Sequence, residues 1–361
     1  MTRIILHIGP EKCGSTSIQQ SVAKGGEDHH SLLLDPYLLI GLDHAEPDSN
    51  AIAALTRQID TKLSHAPNKA LVVSHEMIFK SQPMLRVMAK ICTRLSDHVE
   101  AIMYVRRQSD FAVSGFGQWH FRSPERLREA RAVLDNHAID ASVLYGVERH
   151  LIAGLLGNWR VFRQPSGHLY LNWLRSVAEA QKTLAAYDVA LSVGVLPRAG
   201  FDGDLVGDFL HRAHLKSLGH TDIEATKNQS FHAALIEATV NAIEAGFDMP
   251  GPHEANDFFA KMGQLKFGEL VHDDLLATLK SHIDHAFWDQ NQKFAACYDH
   301  PSAYFAPDMN VMARAVEHSV RAAQRRRQKL GRTSFSDAEQ TRAKLVYAAW
   351  RSRTASRHAP K

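Results

Sequence analysis

MTRIILHIGPEKCGSTSIQQ, residues 1–20, is the stretch whose reading decides the fold. Ile4, Ile5, Leu6 and Ile8 make a short apolar run of the kind that forms a buried strand. A turn rich in Gly, Lys, Ser and Thr follows, and a helix then starts and runs through Ile18. The first N–H groups of a helix lack intrahelical partners and carry a partial positive charge, so a Gly-containing loop that enters a helix is a cradle for an oligo-anion. Lys12 adds a full charge, and Ser15, Thr16 and Ser17 add hydroxyl donors. The competing reading is an ordinary strand-to-helix turn.

The spacing rules on which anion. A nucleotide triphosphatase loop reads G-x-x-x-x-G-K-[ST], with Lys directly after the second Gly. Here Gly9 and Gly14 are correctly spaced, but Ser15 stands where that Lys belongs and Lys12 lies inside the loop. This is not a Walker loop. Over HIGPEKCGSTSIQ it resembles the 5′-phosphosulfate-binding loop of the sulfotransferases that use 3′-phosphoadenylyl sulfate (PAPS). The likeness is strongest to bacterial members, whose loops read like H-I-G-x-x-K-T-G-[ST]-T-S-[IL]-Q. Pro10 and Cys13 are the departures, and neither removes an anion donor.

Length and composition set the bounds around this loop. A chain of 361 residues with 45% apolar and 22% charged side chains can bury a sizeable core as one large domain, or as one domain with an appendage. Cys13, Cys92 and Cys297 are far apart and make no C-x-x-C, which predicts neither a disulfide framework nor a zinc knuckle and fits a reducing compartment. Strand and loop begin at residue 3, so cleavage of a leader would destroy the site, and no run approaches the roughly eighteen apolar residues of a membrane span. A cytoplasmic location is expected. The net charge of +3 conceals an asymmetry: residues 314–361 carry a net +10 and the rest a net −7.

Along the chain the first helix fades near Gly25-Gly26, and Ser31–Leu34 is a short apolar run stopped by Asp35-Pro36. A loop-like segment containing His44 leads to a helix over Asn50–Leu63. ALVVS, Ala70–Ser74, is a second buried strand, with His75 and Glu76 just beyond it; Leu85–Leu95 is helical; EAIMYV, Glu100–Val105, is a third strand. Strands alternating with helices predict right-handed βαβ crossovers and an α/β fold with a parallel sheet flanked by helices, in which ligands sit beyond the carboxyl ends of the strands. Further helices are expected over Ser109–Trp119, in part of Arg122–Arg149, and over Leu169–Tyr187, with an irregular segment to Gly167. Val189–Leu196 reads as a fourth strand, and Asp204–His214 and Ser230–Glu244 as helices. The tail holds a helix over Met309–Leu330 containing Arg325-Arg326-Arg327, and a last helix opened by the Ser336–Glu339 capping box and running through Trp350.

VRRQSDFAVSGF, residues 105–116, is the second signature. It sets Arg106 at the end of a strand and Ser114 eight residues later on a helix, so a guanidinium fork and a hydroxyl can meet one anion. Alone this spacing is weak, and a salt-bridging Arg with a helix-face Ser explains it equally. After the first loop it resembles the 3′-phosphate-binding segment of the same sulfotransferases. Fainter likeness runs through Val193–Leu210, Asn228-Gln229-Ser230 and Phe287–Phe305, so the resemblance covers residues 1–310 as a sulfotransferase domain and leaves 311–361 as a basic helical extension. It implies a P-loop-NTPase-like sulfotransferase fold and sulfuryl transfer from PAPS, with adenosine 3′,5′-bisphosphate (PAP) as product, to a hydroxyl of a carbohydrate or glycolipid. It also implies roles: Lys12 on the bridging oxygen; Gly9, Cys13, Gly14, Ser15, Thr16 and Ser17 around the 5′-phosphosulfate; Arg106 and Ser114 on the 3′-phosphate. No metal is implied, and neither ALVVS nor EAIMYV ends in the Asp that a Mg²⁺-dependent kinase needs.

A hydroxyl acceptor requires a general base within hydrogen-bond reach. His75 matches the position of the base in cytosolic sulfotransferases and is the first choice, followed by Glu76 and His44, with Glu11 behind them. Cys13 reads as a small residue lining the loop, although a thiol beside Lys12 at a helix start is also a candidate for a lowered pKa. The pairs His29-His30, His211/His214 and His282/His285 lack the third ligand of a zinc site. The tail reads as a solvated basic helix or as a contact for an anionic glycan or membrane surface. It has no aromatic-interleaved face for nucleic acid. Residues 36–50 and 120–168 are the expected acceptor contacts. Two other functions compete: a P-loop nucleotide kinase, against which Ser15 argues, and a non-catalytic nucleotide-binding protein.

Overall fold

β1 (Arg3–His7) is the middle strand of a five-stranded, all-parallel sheet completed by β2 (His29–Leu33), β3 (Ala70–Ser74), β4 (Val99–Val105) and β5 (Ala190–Val195), in the order β2-β3-β1-β4-β5. The structure is a computed structural model that describes residues 3–117 (without 25 and 66), 121, 123–141, 144–157, 171–198, 201, 203–216, 233–244, 246, 273–308 and seven residues between 317 and 325. Its described helices are α1 (Ser15–Ala23), α2 (Pro36–Ile40), α3 (Ser49–Ser64), α4 (Gln82–Leu95), α5 (Gln108–Phe116), α6 (Pro124–Asn136), α7 (Gly146–Leu156), α8 (Trp173–Ala185), α9 (Leu205–Arg212), α10 (Ala233–Glu244) and α11 (Asp273–Cys297). Two compact units result: one of Met1–Arg107, His168–Asn228 and Asp289–Phe305, the other of Gln108–Gly167, Gln229–Trp288 and Ala306–Lys361.

The first unit holds the sheet. Ile4, Ile5 and Leu6 are all fully buried although neighbouring side chains point to opposite faces, which requires cover on both sides of the sheet. The apolar stripes of the flanking helices supply that cover. On α3 the buried residues Ala51, Leu55, Ile59 and Leu63 recur every four, and Asp48 caps its start by accepting from the Asn50 N–H at 2.8 Å. α4 starts in the same way, with Ser81 as cap and a proline in its first turn, and buries Met84, Leu85, Met88 and Cys92. α8 buries Trp173, Val177, Ala180 and Leu184 behind the Asn172 cap. Each fully buried Leu or Ile contributes about 1.5–3 kcal/mol relative to its exposed state.

The strand order turns back at β1: the chain next lays down β2 and β3 on one side, then β4 and β5 on the other. In open parallel sheets the crevice at such a reversal, beyond the carboxyl ends, is where ligands bind. Register puts His7 level with Ser74 of β3 and Ile102 of β4, so the loop after β1 emerges at that reversal.

The α/β architecture and its parallel sheet agree with the sequence. β2 adds a strand where HHSLL reads only as a short apolar run. It is an edge strand with half-exposed residues, and its pairing with β3 makes it a strand, not its own propensity. α2 occupies part of the segment read as loop, capped by Asp35. α11, 25 residues long, has no counterpart in the sequence reading, because buried Asp284 and Asn291 interrupt its apolar pattern. The irregular stretch to Gly167, Asn228-Gln229-Ser230 and nearly all of the tail, including the Ser336 capping box, lie outside the described residues. No described helix is long and apolar enough to cross a membrane.

Candidate active site

The loop between β1 and α1 is held by its own backbone. The Ile8 N–H still donates to the Ile102 carbonyl of β4 at 3.0 Å, after which the chain leaves the sheet. Lys12 (φ +64°) and Gly14 (φ +89°) are both left-handed, which turns the intervening peptides over before α1 begins. Gly14 is the residue before the first helical turn and makes no side-chain cap, so nothing from that position covers the N–H groups of α1. The left-handed φ favours glycine at 14, and a Cβ there would also have to push aside the tips of Leu205 and Leu196.

Braces then fix the loop from outside. Ser15 Oγ donates to the Pro10 carbonyl at 3.2 Å, and Arg106 Nη1 donates to the Lys12 carbonyl at 3.3 Å. Arg106 is itself anchored, because Trp173 Nε1 donates to its carbonyl at 2.6 Å. Lys80, at the end of the 3₁₀ turn Glu76–Lys80, pairs with buried Glu11 at 2.8 Å. Lys12, Thr16 and Ser17 are half-buried around the loop, while Cys13 is fully buried. Burial pushes the Cys13 thiol well above its usual range despite the nearby Arg106, the opposite of the shift a reactive thiolate needs.

A hydrogen-bonded chain runs beneath this loop. Gln19, one turn beyond Ser15 on α1, donates through Nε2 to Ser74 Oγ at 3.1 Å and to Glu76 Oε2 at 3.3 Å. Ser74 Oγ lies 2.8 Å from His7 Nδ1. A carboxylate only accepts, so Gln19 must present its NH₂ group. Ser74 Oγ, accepting from Gln19, also bonds His7 Nδ1, and the tautomer of the His7 ring sets which of the two donates. Burial holds His7 neutral, its pKa lowered to about 4 although Glu76 pulls the other way. Glu76 remains ionised: burial pushes its carboxyl up, but His75, its own N–H, Gln19 and Lys80 together bring it below the ordinary value.

His75 caps the 3₁₀ turn, accepting the Met77 N–H on Nδ1 at 3.1 Å. The neutral ring therefore carries its proton on Nε2 and offers a donor rather than a basic lone pair. Burial lowers its pKa, as does Lys80, against Glu76 and Asp35. Of this neighbouring pair, Glu76 presents the charged acceptor and His75 the donor. His44 lies in an exposed turn after α2, and among the described residues no hydrogen bond or ion pair ties it to the loop.

Ser114 belongs to the second unit, buried on α5. An anion does sit at the start of α5, and it is the chain's own. Ser109 donates to the Asp284 carboxylate of α11 through its N–H at 3.2 Å and its Oγ at 2.8 Å. Lys280 pairs with Asp110 at 2.6 Å beside it. Sequence reasoning missed Asp284, as it missed His7, Gln19 and Lys80; only Gln19 gave a hint, since four residues place it on the same helix face as Ser15. Among the described residues no group of three or more His, Cys, Asp or Glu could hold a metal ion. Comparison of the chain with protein-family models, with curated proteins and with solved structures finds no match.

Proposed function

We propose that this protein is a sulfotransferase that moves a sulfuryl group from PAPS to an acceptor hydroxyl, on the sulfotransferase version of the P-loop-like α/β fold. The observation that carries the reading is the loop between β1 and α1. It combines two left-handed residues, an uncapped helix start, a lysine inside the loop and an arginine braced against it, all at the reversal of a parallel sheet. Lysine at position 12 rather than after Gly14 disfavours a nucleotide triphosphatase. A carbohydrate or glycolipid acceptor and a cytoplasmic location rest on the sequence alone.

In this reading the loop N–H groups, Thr16 and Ser17 hold the 5′-phosphosulfate. The acceptor oxygen attacks sulfur as the bond from sulfur to the bridging phosphate oxygen breaks. PAP leaves carrying the bonding pair, and Lys12 neutralises that oxygen. The acceptor's proton passes to the Glu76 carboxylate, and His75, a donor on Nε2, orients an oxygen of donor or acceptor. Arg106 keeps the loop in its receptive shape through the Lys12 carbonyl.

The test is calorimetric binding of PAP without magnesium to the wild type, Lys12→Ala and Arg106→Ala. Magnesium-independent binding, weakened at least tenfold in each variant and poorly competed by ATP, is expected. Binding only of ATP with Mg²⁺ would replace the reading with a nucleotide kinase. PAP binding without sulfuryl transfer to any of a panel of hydroxyl acceptors would leave a non-catalytic nucleotide binder.

A further inference from the structure

Helix α1 touches two different chemistries. Its first turn, Ser15 to Ser17, faces the anion loop, and one turn later Gln19 holds both Glu76 and Ser74. Two hydrogens on one nitrogen go to two acceptors, so the Gln19 amide plane is fixed by both and fixes the carboxylate in return. On the far side of Ser74 the chain continues to His7, which is 1% exposed and whose Nε2 has no hydrogen-bond partner among the described residues. A Cβ placed on Gly9 would lie 3.3 Å from that Nε2 and 3.7 Å from Ser15 Oγ, so the chain ends on the underside of the loop.

We infer that Gln19 is a positioning residue which links the anion loop to the Glu76 carboxylate through α1, so that filling the loop and orienting the proton acceptor are coupled events. The polarity of the chain supports this. Glu76 accepts from Gln19, Gln19 donates to Ser74, and Ser74 bonds His7, whose Nε2 lies under the loop backbone. The carboxylate at one end sets the orientation of the Gln19 amide. An anion drawn into the loop pulls on the N-terminal turn of α1, and Gln19 rides on that turn's successor. The meaning of the coupling for turnover rests on the sulfotransferase reading, but the hydrogen bonds and their effect on Glu76 do not.

The experiment follows the Glu76 carboxyl carbon by ¹³C NMR across pH, assigned with Glu76→Gln, in the wild type and in Gln19→Met, which keeps the stem and removes both donors. Loss of a hydrogen bond to the charged form should raise the Glu76 midpoint by about one pH unit. An unchanged midpoint in a folded Gln19→Met overturns the positioning role. The wild type supplies an independent check should that variant not fold: the Gln19 side-chain amide protons should titrate with the midpoint of Glu76, and flat resonances overturn the link. Saturating PAP should then move the Glu76 midpoint in the wild type and move it less in Gln19→Met; equal movement overturns the coupling. A chain that binds no PAP overturns the donor reading and the coupling with it, while the ligand-free midpoints still judge the positioning role.

Discussion

In the first unit His7 ends the central strand with Nδ1 bonded to Ser74 at 2.8 Å; in the second, Glu237 of α10 accepts from the Val147 N–H at the start of α7 at 3.1 Å and leaves Oε1 without a hydrogen-bond partner among the described residues. Both side chains are almost completely buried, and burial disfavours the charged form of each. The consequences have opposite sign. His7 is driven down to about 4, while Glu237 is driven up to about 7 against the N–H groups of Gly146 and Val147 and the charge of Arg149. The same low-polarity surroundings thus make one unit sensitive to acid and the other to base. Placement separates them further: His7 lies in a chain that reaches Glu76, whereas Glu237 serves the junction of two helices.

The largest effects test this opposition directly. For His7 the folded value is depressed, so its stability is fully present above pH 6.5 and is lost as the pH falls through about 4. The loss is on the order of 3 kcal/mol. His7→Gln should flatten that limb in urea denaturation at stepped pH, and the slope, not the absolute stability, is the readout. For Glu237 the folded value is raised, so its stability is present below pH 4.5 and is lost as the pH rises through about 7. That loss is likewise about 3 kcal/mol. Glu237→Gln should therefore stabilise the protein above pH 7 while gaining nothing below pH 4.5. A variant that is equally stable relative to wild type at both ends would break the comparison. The two slopes overlap between pH 4.5 and 6.5 and oppose each other there, so only the variants expose them.

A smaller effect sharpens the contrast between the first unit's loop and its surroundings. Gly14→Ala forces a Cβ onto a left-handed residue and against Leu205. Backbone strain alone should cost roughly 1–3 kcal/mol by thermal denaturation. Gly203, where a Cβ would come no closer than 3.4 Å to Pro197, should accept alanine with a far smaller change.

Strands β1, β3 and β4 were legible because buried parallel strands read as apolar runs, and ALVVS matches β3 residue for residue; β5, though an edge strand, was legible from its own valines. The turn between β1 and α1 was legible because its signal is local: glycine, lysine and hydroxyls within a few residues. β2 was not, since an edge strand is made by its neighbour's hydrogen bonds and HHSLL has little propensity of its own. The hydrogen bonding of His75 and Glu76 was not legible either. It depends on which ring nitrogen the Met77 N–H occupies and on Gln19 reaching across from α1.

The sequence by itself determined the alternation of strand and helix, the parallel sheet, and a turn between β1 and α1 whose glycine and lysine spacing is not that of a Walker loop. Apolar period, glycine spacing and charge act within a few residues and can be read along the chain. Tertiary structure alone decided that His7, Ser74, Gln19 and Glu76 form one chain of hydrogen bonds, and that Asp284 occupies the start of α5 across 175 residues. Those pairings depend on strand order and register, which bring distant residues to hydrogen-bond distance, and no local pattern encodes them.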